Sequence, residues 1–284
     1  MAATYETLLT DLSDGVLTLT LNRPDKLNAY NPAMQRDILA AFGAINADDD
    51  VRAVIVTGAG RAFCAGADIS GGAEAFKVWN DGSRPAPRKK GDSITMVMAS
   101  SLKPVIAAIN GAAVGVGITM CLPMDIRMMS STARIGFVFN KRGMVMEAGS
   151  SWYLPRLVGM QRAQEWVMTG ELFGAEEAVA GGLVRSIHAP EELVPAAQAL
   201  ARKFAKDTSR AAAAINRRLM WSMLGATDPA DALAIDVSCI GYMARGADAQ
   251  EGVRSFMEKR PPVFPMRPSK DMPPFGPWTE DAAD

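Results

Sequence analysis

The chain has 284 residues, of which 49% are apolar, and its 30 basic and 31 acidic side chains give a formal net charge of −1. This length supplies one large domain or two small ones with a sizeable core. The apolar content excludes a disordered chain, and the near-neutral charge argues against a nucleic-acid partner. No apolar run is long enough to span a membrane and residues 1–6 do not resemble a signal peptide, so we expect no membrane partner.

The cysteines and the single histidine limit the chemistry further. Cys64, Cys121 and Cys239 are too scattered for a disulfide framework, and none has the Cys/His spacing of a zinc site. His188 follows a predicted strand, precedes Ala-Pro, and is expected in a surface loop with no nucleophile beside it. We therefore expect no metal, no permanently bound cofactor, and a reducing compartment, which we take to be the cytoplasm.

The first elements in chain order are a hairpin and a helix. Two β-branched runs, residues 4–10 and 15–21, are separated by the turn-forming residues 11–15. A polar loop follows, in which Pro24 prevents further strand pairing. Asn31 is predicted to cap a helix that has Pro32 at its first position and runs to about Asn46.

Two stretches of small residues follow buried strands. Strand 51–57 leads into residues 61–69, and strand 104–109 leads into the second stretch, residues 107–117. One such stretch is ordinarily a tight strand-to-helix turn. Two of them indicate backbone N–H groups that are open to a bound carbonyl oxygen as negative charge builds on it. Residues 70–92, between them, are expected to form an irregular surface segment that helps to shape a ligand pocket.

The remaining elements indicate an α/β core followed by helices. A helix at 93–101, strands at 104–109 and 125–129, and an extended run at 133–139 repeat the order of strand, small-residue turn and helix. Later helices are predicted at 150–157, 160–169, 175–180, 190–206, 209–224, 229–245 and 248–258, with one strand at 183–187. The expected divisions are a core at 1–200, a helical region at 201–260 and a proline-rich surface tail at 261–284.

Several blocks together resemble one known family. They read LNRP at residues 21–24, LNA at 27–29, AFCAGADI at 62–69, KPVIAAING at 103–111 and FMEKR at 256–260. In this order and spacing they resemble the crotonase, or enoyl-CoA hydratase/isomerase, superfamily. The resemblance implies an α/β spiral of ββα units like that of ClpP, a C-terminal helical trimerisation region, and a homotrimer or dimer of trimers. It also implies an acyl-coenzyme A thioester as substrate. A dinucleotide site is disfavoured because the glycines do not complete G-x-G-x-x-G.

The resemblance also assigns residues by position. The backbone N–H groups of Ala67 and Val116 would form an oxyanion hole for the thioester carbonyl. Ala65 and Ile69 would line the coenzyme A arm, and Lys26 would meet its nucleotide end.

Expectations for three further residues also concern the coenzyme A region. Phe256 and Lys259 would reach the phosphate and adenine of coenzyme A, in a neighbouring subunit. Asp68, which also lies in the coenzyme A region, is expected to cap a following helix, with a basic partner as the alternative.

The chain departs from the family at the catalytic positions. Hydratases of this family use two glutamates, and those positions fall on Thr119 and Phe139. Neither side chain can act as a general acid or base near neutral pH. The two-glutamate hydration mechanism is therefore not expected.

One carboxylate, Glu147, remains in the right neighbourhood. Its block, RGMVMEAGSS at 142–151, and AVGVGIT at 113–119 resemble peroxisomal-type Δ3,Δ2-enoyl-CoA isomerases, in which this glutamate is the base, although Met146 replaces the usual proline. Apolar neighbours including Phe137 and Phe139 are expected to raise its pKa. We expect an isomerase that shifts a double bond through an enolate.

Alternatives remain open. Glu147 could support an atypical hydration with an ordered water, or act as a nucleophile as in 4-chlorobenzoyl-CoA dehalogenase, although the helper histidine is missing. The protein could also be a catalytically silent acyl-CoA-binding module. Cys64 and Cys121 are expected to fill the core.

Overall fold

The computed structural model describes residues 4–72 and 93–279, and these form two β-sheets enclosed by helices. The larger sheet has six strands in the order β1-β2-β3-β5-β7-β10, of which only β1 and β2 pair antiparallel. Its strands are β1 (Leu8–Ser13), β2 (Val16–Leu21), β3 (Ala53–Gly58), β5 (Val105–Ile109), β7 (Ile126–Ser130) and β10 (Ser186–His188). The predicted α/β class is confirmed.

The smaller sheet gives the fold its repeating unit. Its strands are β4 (Ala62–Cys64), β6 (Ala112–Val114), β8 (Ile135–Gly136) and β9 (Leu172–Phe173). β4, β6 and β8 each come a few residues after a strand of the larger sheet and pair parallel with one another. The chain thus alternates between the sheets, and the ends of β4 and β6 are brought side by side. The extended run expected at 133–139 is a strand only at β8.

Two predictions about strands were wrong in detail. Ser13 pairs with Val16 across a two-residue turn whose Asp14 and Gly15 have φ of +53° and +75°. This is the turn that Asp-Gly favours, so β1 continues through residues assigned to the loop. His188 is half-buried at the end of β10 rather than in a loop, and its Nε2 lies 2.8 Å from the Ser186 hydroxyl.

The larger sheet is buried on both faces. Val54 and Val56 face a core shared with the first helix and the smaller sheet, whereas Ala53 and Ile55 face a second cluster with Leu193 and its helix. The helices are α1 (Pro32–Ala47), α2 (Ile94–Ala99), α3 (Val116–Thr119), α4 (Ser150–Val158), α5 (Met160–Thr169), α6 (Ala175–Ala180), α7 (Leu193–Ala205), α8 (Arg210–Met223), α9 (Pro229–Ala244) and α10 (Ala247–Glu258).

The C-terminal helices are tied to the core through one buried cation. Arg217 of α8 forms an ion pair with Asp125 at 2.8 Å and donates to the carbonyls of Met98, Ala99 and Ser101. Beyond it, α8 and α9 form a small cluster against which Phe275 and other residues of the tail pack. Within the described residues, no helix is long and apolar enough to cross a bilayer.

Candidate active site

The two expected backbone donors lie at the ends of adjacent strands. Ala67 follows β4 and Val116 follows β6, and these strands pair in parallel through Cys64 and Ala113. Val116 is the first residue of α3, where an N–H group has no intrahelical acceptor. Across the part of the chain that the structure describes, neither the Ala67 nor the Val116 N–H donates to another protein group. Both are therefore available to a ligand oxygen.

The orientation of Ala67 is fixed by a bridge to Tyr30. Tyr30 N donates to the Gly66 carbonyl at 2.8 Å, and Asp68 N donates to the Tyr30 carbonyl at 2.8 Å. In a parallel bridge of this kind, the middle residue turns its own N–H away from the partner strand. Ala67 is also exposed, and its N–H donates to no group among the described residues.

The spacing between the two stretches depends on Gly117. A Cβ on this residue would lie 2.0 Å from the carbonyl oxygen of Cys64, which leaves no room for any side chain. Glycine lets α3 approach the end of β4 this closely. The Ala67 and Val116 donors are consequently held by direct backbone packing.

Glu147 lies on a sharp turn before α4. Ala148 and Gly149 both adopt left-handed backbone, with φ of +56° and +71°, and the helix begins at Ser150. The Ser150 N and Oγ both donate to the Glu147 carbonyl, at 2.9 and 2.6 Å. A left-handed alanine costs on the order of 1–3 kcal/mol and persists only where surrounding contacts hold it. Those contacts fix the backbone from which the carboxylate projects.

The Glu147 carboxylate reaches the second small-residue stretch. The Thr119 hydroxyl donates to Oε1 of Glu147, and Thr119 is the last residue of α3, one turn after Val116. Burial raises the pKa of the Glu147 carboxyl, and the Thr119 hydrogen bond partly opposes this. Burial raises the pKa of the Cys64 thiol to about 11, with a smaller contribution from the nearby Glu147 charge. Glu147 thus lies near both stretches.

The loop that contains Lys26 is fastened to the first stretch by Asn28, a member of the LNA block for which no role was predicted. The Asn28 side chain is fully buried, donates to the carbonyls of Ala59 and Ala62 at 2.9 and 2.8 Å, and accepts from Arg23 N. Lys26 is exposed on this loop. An asparagine within a polar loop next to a Gly-rich turn is a signal for such a clamp, because its amide can both donate and accept.

Ala65 and Ile69 flank the Ala67 donor. Ala65 N donates to the Leu27 carbonyl at 3.0 Å, which joins the Lys26 loop to the first stretch. Ile69 is a large apolar side chain with 51% of its surface exposed. An apolar surface therefore lies two residues from Ala67.

The cap expected from Asp68 is replaced by its alternative, a basic partner. Its carboxylate accepts from Arg23 at 2.9 Å and from Ser70 N and Oγ at 3.2 and 2.7 Å. The hydrogen bonds from Ser70 and Arg23 lower the pKa of Asp68 to about 2. Asp68 therefore holds the Ala67 turn against the Arg23 loop. The segment expected at 70–92 lies outside the described residues from position 73 onward.

Among the described residues, none of the other predicted residues is hydrogen-bonded to Glu147 or Asp68. Phe256 and Lys259 are exposed at the end of α10, and no contact joins them to Glu147 among the described residues. The Phe137 ring is in the core, stacked on Trp166 at 6.2 Å, and Phe139 is buried where a 3₁₀ turn begins. Cys64 and Cys121 are fully buried. Within residues 4–72 and 93–279, no cluster of His, Cys, Asp and Glu could hold a metal ion.

The fold agrees with comparisons to known proteins. A model of the enoyl-CoA hydratase/isomerase family matches residues 11–267, so the chain belongs to that family. It is 38% identical over 253 residues to enoyl-CoA hydratase AKT3-2 of Alternaria alternata, covering 89% of this chain and 83% of the relative. It is 33% identical over 265 residues to 1,2-epoxyphenylacetyl-CoA isomerase of Escherichia coli K12, covering 91% and 98%.

A solved structure gives the same family. A probable enoyl-CoA hydratase/isomerase from Mycobacterium abscessus is 33% identical and superposes with a TM-score of 0.81, covering 92% of this chain and 99% of that one. The crotonase superfamily assigned from the sequence blocks is confirmed, and the chain belongs to a family of enzymes that act on coenzyme A thioesters.

Proposed function

We propose that the protein is an enoyl-CoA isomerase in which Glu147 acts as the acid–base group. The observation that supports this is the contact between Glu147 and Thr119. The family's first carboxylate position bears a hydroxyl here, and that hydroxyl donates to the Glu147 carboxylate. Hydration by two carboxylates is not available to such a site. A double-bond shift needs one group that accepts a proton and returns it.

The proposed reaction begins with a 3-enoyl-CoA. Glu147 removes a proton from C2, and the electron pair delocalises over C2, C3, C4 and the thioester carbonyl as a dienolate. The protonated Glu147 then returns the proton to C4, which leaves the double bond between C2 and C3. The raised pKa of Glu147 makes its carboxylate a stronger base for the first transfer.

The Ala67 and Val116 N–H groups are proposed to bind the thioester oxygen as it becomes negative. Loss of one such donor costs about 2.7–4 kcal/mol in other enzymes, because preformed donors need no reorganisation. The Gly117 contact supports this assignment, since it holds the two N–H groups at a fixed spacing.

Coenzyme A is proposed to lie along the Lys26 loop and the Ala65–Ile69 turn. Lys26 would interact with the phosphates, Ala65 and Ile69 would contact the pantetheine arm, and Asp68 would act through its ion pair with Arg23. Phe256 and Lys259 would contribute from a neighbouring subunit, which agrees with their exposure.

The proposed assembly is a homotrimer or a dimer of trimers, in the cytoplasm. Large apolar side chains that monomers ordinarily bury support it. Leu233, Val237 and Ile240 of α9 are 65%, 61% and 73% exposed, and Phe256 is 81% exposed.

The experiment is a panel of 3-enoyl-, 2-enoyl- and aryl-CoA thioesters with the wild-type enzyme and Glu147→Gln. The proposal predicts turnover of 3-enoyl-CoA to the conjugated 2-enoyl-CoA, and loss of that turnover in a Gln variant that remains a folded oligomer. Undiminished turnover by Glu147→Gln would remove the assignment.

Hydration is the second candidate, and the names of relatives such as AKT3-2 favour it. Glu147 would then activate an ordered water by itself. The same panel separates the two, because a hydratase consumes 2-enoyl-CoA and forms a 3-hydroxyacyl-CoA, whereas an isomerase does not.

A further inference from the structure

Thr119 holds one oxygen of the proposed base. Thr119 is fully buried, its backbone N donates to the Gly115 carbonyl at 3.0 Å, and its hydroxyl donates to Oε1 of Glu147. A hydroxyl has a single proton to donate, and here that proton is committed to Oε1. Among residues 4–72 and 93–279, no group donates to Oε2 of Glu147. The two carboxylate oxygens are therefore not equivalent.

The hydroxyl also links the base to the backbone donors. Thr119 and Val116 belong to the same turn, α3, which is packed through Gly117 on the Cys64 carbonyl. Any rotation of the Glu147 carboxylate away from this turn would break the Thr119 hydrogen bond. The hydroxyl thus keeps Oε1 of Glu147 against the turn that also carries the Val116 N–H.

We propose that Thr119 is a positioning residue that reserves Oε2 of Glu147 for both proton transfers. This rests on the isomerase function proposed above. In the first transfer the C2–H bond breaks and an Oε2–H bond forms. In the second, the Oε2–H bond breaks and a C4–H bond forms, so the proton count is unchanged. Oε1 accepts from Thr119 throughout, first as carboxylate and then as the carbonyl oxygen of the acid.

The local charges fit this role. Among the described residues, the titratable group that interacts with the Glu147 charge is the buried Cys64 thiol. This thiol is neutral at working pH because burial raises its pKa to about 11. Thr119 is the only described group that lowers the pKa of Glu147. Its removal should therefore raise that pKa further and shift the acidic limb of activity upward.

The test compares Thr119→Val with Thr119→Ser in the full-length enzyme on a short 3-enoyl-CoA. For Thr119→Val we expect kcat to fall by about tenfold, and KM to stay within about twofold of the wild-type value. The loss in kcat is smaller than the roughly 10²-fold that a full 1 Å misplacement costs. The acidic limb should move to higher pH. In deuterated water, the product should carry more deuterium at C4, because a loosened carboxyl exchanges its proton before returning it. Thr119→Ser should restore all three properties.

Thr7→Val is the matched control. The Thr7 hydroxyl also donates to a carboxylate, that of Asp37, at 2.7 Å, and Thr7 is buried immediately before β1. The Thr7→Val enzyme should lose stability, but its pH profile of activity and the deuterium content of its product should not change. An unchanged acidic limb and unchanged deuterium incorporation in Thr119→Val would overturn the positioning role. The isomerase proposal would survive an unchanged Thr119→Val enzyme if Glu147→Gln is inactive in the same assays. Failure of the positioning role can therefore be told apart from failure of the isomerase function.

Discussion

Replacement of Gly117 by alanine tests whether backbone packing sets the spacing of the oxyanion donors. The new Cβ would lie 2.0 Å from the Cys64 carbonyl oxygen, about 1 Å inside the closest approach that packed atoms tolerate. Both partners are backbone, so α3 and the end of β4 must separate and carry Val116 away from Ala67. A displacement of about 1 Å costs on the order of 10²-fold in rate. Overpacking adds a loss of about 1–3 kcal/mol in stability.

The assays are kcat for the double-bond shift and unfolding by urea. Gly43→Ala is the control, because residue 43 is in the exposed face of α1 and a Cβ there meets nothing within 4 Å. That variant should gain about 0.5–1 kcal/mol and keep its kcat. A Gly117→Ala enzyme with wild-type kcat and wild-type stability would refute the reasoning, since the donors would then not depend on this contact.

Three further predictions concern pH and stability. The acidic limb of kcat against pH should lie above the range of an ordinary glutamate, because burial raises the pKa of Glu147 and only its ionised form is a base; a limb in the ordinary range contradicts this. The folded state therefore binds the Glu147 proton more tightly than the unfolded state does. The stability that this proton contributes is fully present below the unfolded pKa and is lost as pH rises through the folded pKa. Glu147→Gln should accordingly melt above the wild type at about pH 8 but not at about pH 4, below the unfolded pKa; equal melting at both contradicts it. Arg217→Met should cost about 3–5 kcal/mol in urea unfolding, because Asp125 loses its buried partner, whereas exposed Arg36→Met should be neutral.

The sequence predicted correctly those element boundaries that depend only on residues close by in the chain. Asn31 accepts from Met34 N at 2.9 Å and Pro32 begins α1, as expected from cap chemistry alone. β1 was misplaced because the choice between a five-residue loop and a two-residue turn depends on pairing with β2. His188 was misplaced for a similar reason: it is a strand residue because its neighbour across the sheet is Ser130 of β7. Propensity does not carry that information.

The site shows the same division between local and long-range information. The small-residue stretches indicated open backbone N–H groups, because such donors need little side-chain obstruction, and the family resemblance assigned them to Ala67 and Val116. The partners of Asp68 and Glu147 could not be read from the chain. Arg23 is 45 residues from Asp68, and Thr119 is 28 residues from Glu147. Such contacts arise only once the two sheets are stacked, and Asn28, which fastens the loop to the β3–β4 turn, was missed for that reason.

The most direct measurement for the central claim is the rate of C2 proton exchange of a bound acyl-CoA in deuterated water. It requires only the base and the oxyanion donors, so it is independent of acyl specificity. We predict rapid exchange by the wild type, loss of exchange in a folded Glu147→Gln enzyme, and wild-type exchange in the exposed control Glu171→Gln. Exchange that persists in Glu147→Gln would contradict the role of Glu147. No exchange by the wild-type protein would identify a silent acyl-CoA-binding protein instead.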